Sequence, residues 1–124
     1  TKFLTLGEWP TRMLSEVVRN ESMISLEDIH WKMSKYPAQA SGMLDRGSIA
    51  VGMPADIVVY DLNALKLLPE EVLYDQPGGE WRRAKKADGY RYTIVNGEII
   101  FKGNQPTGAT PGRLLRHGRA QDMI

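Results

Sequence analysis

Apolar and polar positions follow two different periods along this chain. Up to about residue 40 the apolar residues recur at helical spacing; beyond residue 55 they alternate or run together as strands do. Met13, Leu14, Val17 and Val18 share one helical face, with Arg12, Glu16 and Arg19 between them. The preceding stretch, Thr1 to Trp9, reads as irregular, and Pro10 suits a first helical turn, where its missing N–H costs nothing. Asn20-Glu21-Ser22 ends this helix. Ser25 followed by Asp28 opens a second, in the manner of a capping box with Asp in place of the usual Glu. Leu26, Ile29 and Met33 form its apolar stripe. The Tyr36-Pro37 step is expected to close it, because a residue before proline is pushed out of the α region. A short third helix then runs through Ala38, Gln39 and Ala40 to Gly42.

The change of period falls within Ser41 to Asp61, and the rest of the chain is organised around that stretch. Gly42 and Gly47 can take positive φ, so a helix can stop at the first and the chain can turn at the second. Ile49 and Val51 alternate with small residues, which predicts a short half-buried strand. Gly52-Met53-Pro54 is a turn signal, and Ala55 to Tyr60, apolar but for Asp56, predicts a buried strand. Leu65, Leu67 and Leu68 add a short strand, with a helical turn starting at Pro69-Glu70-Glu71-Val72. Gln76-Pro77-Gly78-Gly79 reads as a loop, and Glu80 to Lys86 as a solvated loop anchored by Trp81.

The clearest local signal is Tyr92-Thr93-Ile94-Val95, Asn96-Gly97, Glu98-Ile99-Ile100-Phe101: a β-hairpin with a two-residue type I′ turn. Its register pairs Ile94 with Ile99 and Tyr92 with Phe101 on the face expected to meet the core. Gly103-Asn104 releases the chain into a tail carrying Arg113, Arg116 and Arg119. The fold class is therefore α+β, helices first and strands after.

Composition narrows the partners. A chain of 124 residues can bury one modest core, and 42% hydrophobic with 25% charged residues is ordinary for a globular protein. The net charge of +1 gives no electrostatic reason to expect nucleic acid or a membrane as a partner. With no cysteine there is neither a disulfide framework nor a thiolate zinc site. No apolar run approaches the roughly 20 residues that span a bilayer. The opening Thr1-Lys2-Phe3 carries no initiator methionine and no signal peptide, so the expectation is a piece of a longer chain with a cytoplasmic location.

Candidate chemistry is sparse. His30 and His117 lie far apart and neither belongs to a paired ligand motif; His30 reads as a packed or surface residue and His117 as solvated. Ser41 and Ser48 lack the glycines two residues to either side that a nucleophile elbow needs. Asp45, Asp56 and Asp61 each flank a turn or a strand end, where capping is the ordinary role. Gly78-Gly79 is not followed by the Lys-Ser of a phosphate loop. Trp81 to Lys86 offers an aromatic among cations, as single-strand binders do, but the near-neutral whole outweighs that reading. No catalytic, cofactor-binding or metal-ligating residue is assigned within the chain.

Ordered motifs carry a family resemblance. Leu14, Val18-Arg19, Ile24-Ser25-Leu26-Glu27, Lys32-Met33-Ser34 and Pro37-Ala38 resemble the last barrel helices of the N-acyl-D-amino-acid deacylase branch of metal-dependent amidohydrolases. Asp45-Arg46-Gly47, Ala55-Asp56-Ile57-Val58-Val59-Tyr60-Asp61, Val95-Asn96-Gly97 and Thr107 to Arg113 continue that pattern in the same order. The resemblance implies that residues 1–44 are the closing helices of a TIM-like catalytic barrel. Residues 45–124 would be the C-terminal part of a small β-sandwich domain and its tail. It further implies a parent enzyme whose zinc activates water to attack an amide carbon. The family's His-x-His pair, later histidines and aspartate match no position here, so no catalytic residue carries over and the chain alone is expected to be inactive. Its expected partner is the N-terminal remainder of its own enzyme, or a second copy by self-association. The other class of function compatible with these residues is an independent binding or interaction module that uses the same sandwich.

The hairpin supplies the first test. Gly97→Val should lower the melting temperature, because a β-branched residue resists the positive φ of a type I′ turn. An unchanged melt would contradict the predicted turn.

Overall fold

A computed structural model describes residues 7–116. The first helix, α1, spans residues 9–20: Trp9–Arg12 winds as an α-helix and Met13–Asn20 as the wider π form. The Glu21 N–H accordingly reaches five residues back to the Glu16 carbonyl, at 2.9 Å. The second helix, α2, spans residues 26–40, with a π segment at Trp31–Lys35 between α-helical Leu26–His30 and Tyr36–Ala40. Ser25 caps it as expected, its hydroxyl accepting the Asp28 N–H at 3.1 Å.

Pro37 does not end α2, and the expected third helix is its last turn. Tyr36 keeps helical angles (φ −61°, ψ −50°), and its N–H bonds five residues back to the Trp31 carbonyl. A proline ring ordinarily collides with the carbonyl four residues earlier. The widened turn just before Pro37 relieves that contact, so the helix bends its hydrogen-bond pattern rather than stopping. It stops at Gly42, at φ +74°, where the Met43 N–H closes onto the Ala38 carbonyl at 2.8 Å.

Among the described residues six strands follow: β1 (Ile57–Tyr60), β2 (Lys66–Leu73), β3 (Arg82–Asp88), β4 (Tyr90–Val95), β5 (Glu98–Lys102) and β6 (Gln105–Pro106). β1, β4, β5 and β6 form one antiparallel sheet in that order; β2 and β3 form a separate antiparallel pair. Several expectations need correction here. Ile49 and Val51 form no strand and stand in solvent, Ile49 being 81% exposed. β1 begins only at Ile57 and is half covered, since Val58 and Val59 are both exposed. Pro69 to Val72 starts no helical turn: β2 runs through Pro69, whose missing N–H is accommodated by a register shift between Leu67 and Glu70. Glu80 to Lys86 is not a loop, because Arg82 onward forms β3; its charges are laddered against β2, as in Glu70–Arg83 (3.2 Å) and Glu71–Lys86 (2.7 Å).

The hairpin is present with Asn96 at φ 47° and Gly97 at φ 82°. Val95 pairs with Glu98 and Ile94 with Ile99 as expected. Beyond them a bulge shifts the register, so that Thr93 faces Phe101 and Tyr92 faces Lys102. Tyr92 and Phe101 are consequently exposed instead of meeting the core. Gly103-Asn104 does not release the chain either; it turns β5 back into β6.

The core lies where the helices meet the turn after β1. Leu14 and Val18 of α1, Ile29 of α2 and Leu65 form the buried cluster, and Leu65 is 1% exposed. Asp61 shapes the turn: its Oδ1 accepts the N–H groups of Asn63 and Ala64, at 3.0 and 3.3 Å. Arg19 reaches over from α1, and its Nη1 donates to the carbonyls of Leu62 (2.8 Å) and Leu65 (2.7 Å). Gly89, at φ +99°, lies directly against the same turn, where a Cβ would sit 2.7 Å from the Leu65 N and Cα.

Two glycines with positive φ thus differ in surroundings. Gly97 has open space where a Cβ would go. Gly97→Ala should cost about 1–2 kcal/mol from backbone strain alone. Gly89→Ala adds a backbone collision and should cost roughly 3 kcal/mol or more. Denaturant titration of both variants checks this; equal losses would mean that the approach to Leu65 relaxes freely.

Candidate functional site

A cleft of about 680 Å³ lies between the helices and β1. Leu14 and Met33 wall it from the helices, Ile57, Val58 and Tyr90 from the sheet, and Trp31 and Ile49 border it. The π segments of both helices contribute to these walls through Leu14, Trp31, Met33, Ser34 and Lys35. A widened turn presents its side chains at a different pitch, and such turns are frequent at functional sites.

Polar groups cross the cleft in two pairs. His30 Nε2 and Tyr60 Oη are 2.5 Å apart, joining α2 to β1. Tyr90 Oη and Thr11 Oγ1 are 2.8 Å apart, joining β4 to α1. The two phenols are neighbours, with ring centroids 6.3 Å apart. Burial, and after it the charge on Tyr90, hold the Tyr60 phenol above its ordinary value of 10.0. The arrangement places one proton between an imidazole and a phenol. The pair clamps α2 to β1.

The other residues singled out in sequence take structural roles. Asp56 accepts the Asn96 N–H at Oδ1 (2.9 Å), and its Oδ2 pairs with Arg46 Nε at 3.3 Å. Asp45 pairs with the same guanidinium at 3.0 Å. Asp61 holds its turn and pairs with Arg91 at 3.3 Å; its carboxyl lies below the usual range, chiefly because the Ala64 N–H binds the carboxylate. Ser41 donates to the Pro37 carbonyl at 2.7 Å, and Ser48 lies 3.4 Å from the Met53 sulfur. Asp45 and Asp56 thus share the Arg46 guanidinium, while Asp61 is engaged separately with Arg91. His117 and Arg119 lie outside the described residues, as does Thr1 to Leu6. Among the described residues no group of three or more His, Asp or Glu is placed to hold a metal ion.

Sequence reasoning missed Thr11, Tyr60 and Tyr90 as a set. The pairs His30–Tyr60 and Thr11–Tyr90 span 30 and 79 positions, and no local spacing signals contacts at that range.

The Tyr60 phenol yields a test with a definite sign. Its raised value means that the folded state favours the neutral form. That contribution is complete below pH 10 and is lost as pH rises through the folded value. Stability should therefore fall above pH 10, and Tyr60→Phe should flatten that alkaline limb relative to the parent. Urea titrations between pH 8 and 11 measure it; parallel limbs would remove the assigned burial effect.

Comparison with known proteins locates the chain. The profile of the amidohydrolase family matches residues 1–101. The N-acyl-D-glutamate deacylase of Alcaligenes xylosoxydans xylosoxydans is 34% identical over 106 residues, covering 86% of this chain and 20% of that enzyme. The D-aminoacylase of the same organism is 28% identical over 109 residues, 88% of this chain and 20% of that enzyme. The dihydroorotase of Geotalea daltonii is 32% identical over 90 residues, 72% of this chain and 21% of that enzyme. The chain thus spans about a fifth of the length of the curated relatives it matches. No solved structure matches it.

Proposed function

Because the chain belongs to the amidohydrolase family, we propose that it serves as the C-terminal portion of a metal-dependent hydrolase of C–N (amide) bonds. N-acyl-D-amino acids or similar compounds are the proposed substrates, in line with the deacylase and aminoacylase relatives. Residues 1–44 are assigned to the closing helices of the catalytic barrel, and residues 45–124 to the C-terminal part of the small β-sandwich domain and its tail. The chain's own task is structural, and it is inactive alone.

The observation that carries this reading is the bare apolar surface around the cleft. Val58 and Val59 are 51% and 40% exposed on β1, an edge strand of its sheet, and Trp31, Tyr36, Ile49 and Val51 are exposed nearby. Soluble monomers rarely leave large apolar patches open, and unprotected strand edges template association. β1 carries no charge and no proline to blunt its edge. A larger body of the same enzyme, about four times the length of this chain by the proportions of its relatives, supplies the natural cover.

The described residues do not fit a metal site, so zinc in this reading belongs to the rest of the enzyme. There a bound metal would polarise the amide carbonyl and bring the pKa of its water toward ~7. What this chain contributes is a rigid wall: the His30–Tyr60 and Thr11–Tyr90 bonds fix α1 and α2 against the sheet.

Size-exclusion chromatography with light scattering on the 124-residue chain tests the proposal. The expected result is self-association, relieved when the remainder of the enzyme is supplied in trans. A cooperatively melting monomer would overturn it and favour the self-sufficient binding module.

A further inference from the structure

The turn between β4 and β5 is held from three directions. The Asn96 N–H donates to Asp56 Oδ1 at 2.9 Å, and the Gly97 N–H to the Ala55 carbonyl at 3.0 Å. The Asn96 carboxamide donates from Nδ2 to the Pro111 carbonyl at 2.7 Å. The segment leaving β6 is tied at its other end by Thr107, whose N–H bonds the Ile100 carbonyl (2.9 Å) and whose Oγ1 donates to the Ile99 carbonyl (2.7 Å). Between these ties lies an apolar hollow of about 300 Å³, bordered by Val95, Ile100, Ala109 and Pro111. Residues 107–112 therefore form a strap over a hollow they do not fill, fastened at Thr107 and at Asn96.

We propose that Asn96 is a modification site and that its deamidation unlatches this strap. An asparagine followed by glycine is the pairing most open to attack by the next backbone nitrogen, because glycine has no Cβ to hinder the approach. The Gly97 nitrogen bonds to the Asn96 Cγ, the Cγ–Nδ2 bond breaks, and ammonia leaves with the proton that the Gly97 nitrogen gives up. Water then opens the cyclic imide to an aspartyl or isoaspartyl residue, so one water is consumed and one ammonia released. The product has no Nδ2 donor. A carboxylate oxygen instead faces the Pro111 carbonyl, acceptor against acceptor, and adds a second negative charge beside Asp56. In the closed form the attacking N–H is engaged by Ala55 and the leaving amide by Pro111. Opening the strap frees the leaving amide from Pro111, and the reaction keeps the strap open.

Asn96→Asp reproduces the aspartyl product, and aspartate also suits the first position of a type I′ turn, so the hairpin survives the substitution. Hydrogen exchange on the 124-residue chain should show residues 107–112 exchanging roughly tenfold faster in this variant, with β4 and β5 unchanged. Equal exchange would overturn the proposal, as would a rise spread across both strands, which would make Asn96 a support of the hairpin rather than a latch. In a second arm, Thr107→Val loosens the far end of the strap by removing its Oγ1 tie to the Ile99 carbonyl. Peptide mass spectrometry at mildly alkaline pH should then record the amide-to-acid conversion at Asn96 several times faster than in the parent. Equal rates would sink the gating.

Discussion

The turn at residues 61–65, between β1 and β2, is tied to α1 by Arg19 and to both helices by Leu65. The Arg19 guanidinium, anchored in α1, binds carbonyls on both sides of that turn at 2.7 and 2.8 Å, with a third, that of Asn63, at 3.3 Å. One Nη carries two hydrogens, so the two short contacts are the substantial ones and the third is a weak sharing. Hydrogen bonds from a charged donor contribute roughly 1.5–3 kcal/mol each, comparable to burying one large apolar side chain. The turn needs that help because its backbone is crowded. Leu65 is driven into the core between Leu14, Val18 and Ile29, while Gly89 presses on its main chain from β3 and β4. Arg19 satisfies the carbonyls that such a compact turn would otherwise strand, and the buried leucine fixes the distance between helix and strand.

That distance sets the cleft. α1 and α2 meet the turn at Leu65, and the two polar clamps, His30–Tyr60 and Thr11–Tyr90, tie α2 to β1 and α1 to β4. A gap walled by Leu14, Met33 and Ile57 is unfavourable to leave wet, and the described core is too small to close it, with Leu14, Val18, Ile29, Leu65 and Ala84 as its buried apolar members. Gly47, at the border of the cleft, packs closely against α2. A Cβ at Gly47 would come within 2.8 Å of the Ser34 carbonyl oxygen, and the Ser34 hydroxyl bonds the Gly47 carbonyl at 3.0 Å.

Sequence reasoning succeeded where short-range chemistry decides. The cap at Ser25, the stop at Gly42, the apolar faces of α1 and α2 and the Asn96-Gly97 turn each depend on residues within four positions of one another. It failed where a distant partner overrides local preference. Pro37 reads as a terminator until α2 widens ahead of it; Pro69 and the charges of Glu80 to Lys86 read as non-strand until β2 and β3 pair and lay Glu70 and Glu71 against Arg83 and Lys86. Ile49 and Val51 read as a half-buried strand from alternation, and Tyr92 and Phe101 as core-facing from the register of the hairpin. Alternation distinguishes two faces of a strand without saying which is covered, and the bulge beyond Ile94 changes the faces midway.

The motifs that carry the family resemblance converge in space, and this explains what kind of motifs they are. Arg46 of Asp45-Arg46-Gly47, Asp56 of the β1 approach, Asn96 of the hairpin turn and Pro111 of the tail lie far apart in sequence. In the fold they form one chain of contacts, Arg46 to Asp56 (3.3 Å), Asp56 to Asn96 (2.9 Å) and Asn96 to Pro111 (2.7 Å). Each link needs its residue type: a carboxylate with two acceptor oxygens, a left-handed turn residue whose amide can still donate, and a carbonyl fixed by the ring of the proline that bears it. No link touches the cleft clamps or supplies a nucleophile. A signature of this kind records how a domain is sewn together, and so it identifies the family of the chain while remaining silent about the chemistry that family performs.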